Sequence, residues 1–226
     1  MKKLLTVAVM ISLVLGIGSV AFAQTGEVSA DLWFVNHVYE EPGDKWEASG
    51  RLTAVTGTFD ITNKFSVAGS GAFGKTDKFE KAPAGRPEES GELTNLNVAV
   101  QYQIIPMVKA QAGFFTGGYK LHKNLEEYSI SGITIGAAVD FEVGDGIGIY
   151  GEANYAPIAS AKLKEADMTL DGSSMMAFEA GGKYDFGQFA VKAGYRYKGL
   201  EFKKKDAKDA ATASFSGFFV GGGIKF

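Results

Sequence analysis

The sequence predicts an all-β protein: a closed, antiparallel, up-and-down transmembrane β-barrel of about ten strands, with eight as the alternative count. Three observations carry this. Apolar residues recur at every second position in one segment after another, the period of a strand with two different faces. The connections alternate between long and short. Aromatic residues gather at both ends of the apolar faces. Average hydropathy near zero supports the same architecture, because a barrel wall needs apolar residues at only half of its positions. Beyond the N-terminus no run approaches the ~18 continuous apolar residues of a membrane helix. The 30 glycines suit a wall that is closely packed and curved.

Lys2 and Lys3 precede an apolar run from Leu4 to about Val20, and Ala21-Phe22-Ala23 puts small residues ahead of Gln24. This predicts a secretory signal peptide over residues 1–23, followed by one barrel domain over 24–226. The rival, an uncleaved membrane helix, has neither a use for the cleavage site nor a charged stop-transfer flank. Without a Cys at the cleavage site there is no lipid-anchored lipoprotein. Removing 23 of 226 residues leaves 203, and losing two lysines moves the formal charge from −3 to −5. Such mild acidity argues against a nucleic-acid partner. An exported chain with no cysteine must be held by sheet hydrogen bonding or a large core.

Taken in order, the first strand sets Val28, Ala30, Leu32 and Phe34 against Ser29, Asp31 and Trp33. Residues 36–47, with Pro, Gly and charges, are expected to form a loop. The second strand, 48–59, alternates poorly; its likeness to a later hairpin puts Phe59, Val55, Gly57 and Arg51 outward. After a short turn at 60–63, the third sets Phe65, Val67 and Phe73 against Ser66, Ala68 and Ser70. A polar loop is expected over 74–92. The fourth strand sets Leu96, Val98, Val100, Tyr102 and Ile104 against Asn95, Asn97, Gln101 and Gln103, and turns at Ile105-Pro106. The fifth alternates Val108, Ala110, Ala112 and Phe114 with Lys109, Gln111 and Gly113.

A loop over 117–128 then leads to the sixth strand, Ile133 to Phe141, with Thr134, Gly136, Ala138 and Asp140 opposite. Gly144-Asp145-Gly146 is a tight-turn signal. The seventh strand sets Ile147, Ile149 and Tyr155 against Tyr150, Glu152 and Asn154. A loop over 156–173 precedes the eighth, Met176 to Tyr184, with Glu179 and Lys183 opposite. A short turn at 185–188 opens the ninth, Phe189 to Tyr197, with Lys192 and Arg196 opposite. After a loop over 199–212 containing Lys203-Lys204-Lys205, the tenth sets Phe218, Val220, Gly222, Ile224 and Phe226 against Gly217, Phe219, Gly221, Gly223 and Lys225. Strands of about nine to twelve residues match a tilted membrane crossing.

A final strand that stops at a C-terminal Phe resembles the closing strand of bacterial outer-membrane β-barrels, a porin-like family; the pattern of residues 24–226 as a whole is similar to that family. The resemblance implies an outer-membrane location, outer-membrane lipid as partner, and recognition of the last strand by the barrel assembly machinery. It implies no cofactor, and the sequence selects no oligomeric state. Phe65, Tyr102, Phe141, Tyr184, Phe189 and Phe226, beside the short turns, are expected to form a periplasmic aromatic girdle, with Phe34, Phe73, Phe114, Tyr155, Phe178 and Tyr195 at the other rim.

The inward charges Asp31, Lys109, Asp140, Glu152, Glu179, Lys183, Lys192 and Arg196 are the candidate site. They form either an eyelet of opposed charge that filters small polar solutes or a structural network that fills a closed barrel, since unpaired buried charge is costly. Small inward residues such as Ser29, Ser66 and Ala68 leave room for some water. The expected function is accordingly a narrow channel or a structural wall protein. A barrel enzyme at the outer rim and a soluble periplasmic ligand carrier are the alternatives. The two histidines, His37 and His122, are expected in solvated loops, with no catalytic partner pattern and no metal-ligand spacing. The lysine run is expected to be a charged loop tip and not a grip on lipid phosphate.

Overall fold

A computed structural model describes residues 25–79, 90–121, 126–164, 166–203 and 209–226. The expected signal peptide, His122 and Lys204-Lys205 lie outside the described residues. Ten strands are formed: β1 (Thr25–Glu41), β2 (Asp44–Asp60), β3 (Phe65–Lys78), β4 (Ser90–Ile105), β5 (Val108–Leu121), β6 (Glu126–Gly144), β7 (Ile147–Leu163), β8 (Met168–Phe186), β9 (Phe189–Phe202) and β10 (Ala211–Lys225). Each pairs with its sequence neighbours, and β10 returns to β1 to close the barrel. The count is ten, and the eight-strand alternative is set aside.

Closure runs in the register Ala30↔Gly222 and Trp33↔Phe219. At the seam the ring of Phe226 lies over Gly26, where a Cβ would come within 2.8 Å of it. It also packs against Phe59, with ring centroids 5.7 Å apart. The connections at 61–64, 106–107, 145–146 and 187–188 lie at one end of the barrel, the end that also holds Thr25 and Phe226. Between β6 and β7, Asp145 and Gly146 have φ of 50° and 79°, the left-handed pair that a type I′ hairpin requires.

Strand length departs from expectation. The strands run from 14 residues in β3 to 19 in β6, and most of the expected long loops are strand. Residues 36–47 form the β1–β2 hairpin, which turns on Pro42 and Gly43. The physical reason is an inversion of sidedness along the barrel axis. In the half near the short turns, apolar residues such as Val100, Ile135, Val139 and Val191 point outward and are exposed, while Ser29, Asp31, Ser66, Gln101, Gln111 and Asn154 are buried inside. Beyond Phe34 the outward positions are mostly polar, Asn36, Glu40, Lys45, Glu47 and Ser49 against a single Val38 on these two strands. The inward ones there are Val35, Tyr39, Trp46, Phe115, Tyr119, Tyr128, Phe202 and Phe215, all buried in one apolar cluster. This upper tier is a water-facing barrel with a packed interior. Burying each large side chain contributes about 1.5–3 kcal/mol, so the strands continue where a loop would leave those rings in water.

Strand β2 is regular after all. Trp46, Ala48, Leu52 and Ala54 point inward and are buried. Arg51 points outward opposite Phe34, at the upper edge of the apolar belt, where a long cationic side chain reaches water. The belt itself faces outward, the reverse of the soluble carrier alternative.

Candidate functional site: a chamber open at the short-turn end

The inward polar half encloses a cavity of about 710 Å³. Its mouth is at the short-turn end, lined by Gly26, Pro106, Met107, Gln188 and Phe226; its ceiling includes Trp33, Asn95, Met175 and Lys198. None of Tyr39, Tyr119, Tyr128, Phe202 and Phe215 lines it, because those rings pack against one another above it. Tyr128 and Phe202 stack with centroids 4.2 Å apart, and Tyr39 and Trp46 with centroids 4.9 Å apart. The chamber mouth and the two chain ends thus lie at one end of the barrel, and the aromatic tier at the other.

Four of the eight predicted lumen charges meet in one buried cluster. Arg196 donates from Nη2 to Asp31 at 2.9 Å and from Nε to Glu179. Lys192 reaches the same Asp31 oxygen at 3.1 Å. Tyr150 donates to Glu179 at 3.0 Å. The guanidinium also lies 4.6 Å from the Phe219 ring centroid and 5.5 Å from that of Trp33, cation–π contacts made by a residue that is itself buried. Asp31 fits because its partner across the seam is Gly221, where a Cβ would stand 2.1 Å from Asp31 Oδ1.

The other four charges are not drawn into that cluster. Glu152 accepts from the amides of Gln111 at 3.1 Å and Asn154 at 2.5 Å. Gln111 in turn accepts from Gln101, which accepts from Ser66. Lys109 donates to Ser66 at 3.3 Å and lies 3.8 Å from Asp60. Asp140 and Lys183 pair at 2.5 Å near the mouth, as do Asp185 and Lys225. The charges are thus staggered in depth and do not form a single ring. Sequence reasoning passed over Tyr150, Gln101, Gln111 and Lys198 as site residues, although the inward parity already placed the first three in the lumen.

The six predicted girdle residues all face outward and are about half exposed, from Tyr102 at 42% to Phe226 at 56%. Phe65 and Tyr102 contact each other at 5.1 Å between centroids. Phe186, expected in a turn, ends β8 and joins this ring, 6.0 Å from Phe189.

His37 is not a solvated loop residue. It points into the upper tier and is fully buried, stacked on Phe215 and edge-on to Tyr119. At its height the outward residues Asn36, Ser49 and Ser216 are polar, so it lies outside the lipid belt. Neither imidazole nitrogen has a hydrogen-bond partner among the described residues. Burial pushes its pKa down from 6.5 to about 3.

Similar architecture is found in solved structures. Neisserial surface protein A is 16% identical with a TM-score of 0.44, covering 89% of this chain and 97% of that one. Ail, the attachment invasion locus protein of Yersinia pestis, is 16% identical with a TM-score of 0.37, covering 89% and 99%. The translocator domain of the autotransporter NalP from Neisseria meningitidis is 14% identical with a TM-score of 0.46, covering 100% and 98%. No curated protein sequence matches the chain. A closed barrel with an outward apolar belt, an aromatic girdle and a polar lower lumen is an integral outer-membrane β-barrel. Residues 85–226 match the family model described as YfaZ precursor, a span that takes in β4 to β10, and the chain belongs to the YfaZ family.

Proposed function

We propose that this barrel is a wall protein of the outer membrane, closed towards the outside and open to the periplasm, and neither a through-channel nor an enzyme. The observation that supports this most is the aromatic tier. Its inward side chains bury one another above the chamber, and a hydrophobic constriction of that depth excludes water and ions. The charge pairs below it then act as internal bracing: Asp31, Glu179, Lys192 and Arg196 join β1, β8 and β9 across the lumen. A buried His37 with no carboxylate or hydroxyl partner among the described residues is a poor general base, which weighs against rim catalysis.

Planar-bilayer recordings test the proposal. The folded wild-type barrel is expected to give no discrete conductance steps at either polarity. Replacing Tyr119 and Phe215 together by alanine should introduce them. Steady steps from the wild type would favour the channel reading and overturn this one.

A further inference from the structure

The ceiling of the chamber holds a charge that the bracing network does not explain. Lys198 lies two residues beyond Arg196 on the same inward face of β9, is only 6% exposed and lines the cavity. The cluster beside it is already balanced, with Asp31 and Glu179 against Lys192 and Arg196. Among the described residues Lys198 has no ion pair or hydrogen bond; its contact is the Phe115 ring, 6.0 Å from Nζ. Glu152, a lumen carboxylate without a cation, is held by two amides and makes no ion pair with Lys198. An unpaired ammonium at this depth is costly, so the amine holds its charge there only with an anion beside it.

Further donors line the same cavity. Arg196 Nη1 is buried without a partner. Asn95 and Asn97 line the cavity; their side-chain oxygens accept from the Ala72 amide and from Thr134, while their amide nitrogens donate to no described residue. Around these donors the lining is apolar: Trp33, Ala54, Ala72, Met175 and Ala177. A cavity of about 710 Å³ is within the ~300–1,000 Å³ of small-molecule sites.

We infer that the chamber binds a small organic carboxylate, which enters from the periplasmic mouth and sets its anionic group on Lys198. A single amine beside an already balanced cluster, in a lumen that also holds the cation-free carboxylate of Glu152, suits a monoanionic carboxylate better than a phosphate dianion. The apolar ceiling takes the body of the ligand, and the two asparagine amides and Arg196 Nη1 complete the donor set around the oxygens. The inference rests on the proposed function only in taking the chamber to open towards the periplasm.

Benzoate is the probe, with benzyl alcohol as its uncharged counterpart, titrated into the full barrel in detergent micelles. Calorimetry should show benzoate binding to the wild type, at least tenfold weaker binding to Lys198→Met, and no comparable binding of the alcohol. Equal affinity for both proteins, or for both probes, overturns the site. Should Lys198→Met fail to fold, isotope-labelled methionine methyls in the wild type give an independent readout. Benzoate should shift Met175, at the ceiling, and leave Met176, its lipid-facing neighbour, in place; an unmoved Met175 overturns the inference. The two proposals fail separately. A barrel that conducts yet binds benzoate at Lys198 sinks only the closed-wall reading, and a silent barrel that ignores benzoate sinks only the carboxylate site.

Discussion

The imidazole of His37 lies flat on the ring of Phe215, with centroids 4.3 Å apart and planes 4° from parallel. The unfolded chain takes up a proton on this histidine below about pH 6.5, whereas the folded chain refuses it until about pH 3. In that window the unfolded state binds more protons, so stability falls as the pH is lowered, by about 1.4 kcal/mol per unit. His37→Phe should keep the stack and remove this component. Urea titrations near neutral pH and near pH 5 check it: the variant should lose less stability than the wild type between the two. Equal losses would mean that His37 is not held neutral.

The buried cluster predicts a large asymmetry among the charge pairs. Arg196→Met leaves Asp31 and Glu179 with too little positive charge in a closed space, and should cost on the order of 3–5 kcal/mol. Lys183→Gln breaks the pair with Asp140 near the mouth, where the carboxylate is 56% exposed, and should cost less than about 1 kcal/mol. Urea midpoints of both variants decide whether bracing resides in the deep cluster.

Lipid contact can be mapped by arginine insertion. Ile135→Arg, in the middle of the apolar belt, should cost about 2–4 kcal/mol of folding stability in bilayers, and Asn36→Arg, just above the belt, about 0–1 kcal/mol. If both cost the same, the belt does not end where the outward residues turn polar.

Closure has a chemical test, since the chain has no native cysteine. Cysteines at Ala30 and Gly222 stand directly opposite across the seam and should form a disulfide in the folded barrel. Cysteines at Ala30 and Val191, two strands apart, lie about two interstrand spacings from each other and should not. A gel shift on reduction reads the result.

Much of the lower barrel was legible in the sequence because lipid imposes a simple rule there. Leu32 and Phe34 against Asp31 and Trp33, or Val98 and Val100 against Asn97 and Gln101, give both the strand and its facing. The upper tier was obscured because the rule reverses. Asn36 and Glu40 with Pro42 and Gly43 resemble loop composition, yet Val35, His37 and Tyr39 continue the inward parity of Trp33 without a break. His37 was misjudged from its sequence neighbours, which point away from it. Lys198 lies one residue beyond Tyr197, the expected end of β9, at the position that parity places in the lumen. Which inward charges meet was not legible, since it depends on the stagger between strands and on Gly221 leaving space for Asp31.

The reversal of sidedness also bears on how the strands find their alignment. A slip of one residue flips every side chain to the wrong face and is penalised in any barrel. A slide of two residues keeps the faces, and in a uniform wall it costs little beyond bonds at the strand ends. Here it would carry Ser216 and Asn36 down into the hydrocarbon, or lift Phe34 and Phe218 into water. The line where polar and apolar faces change places thus works as a depth gauge. Each strand is fixed along its own length by two solvents at once, so lateral pairing and vertical seating in the bilayer become one choice.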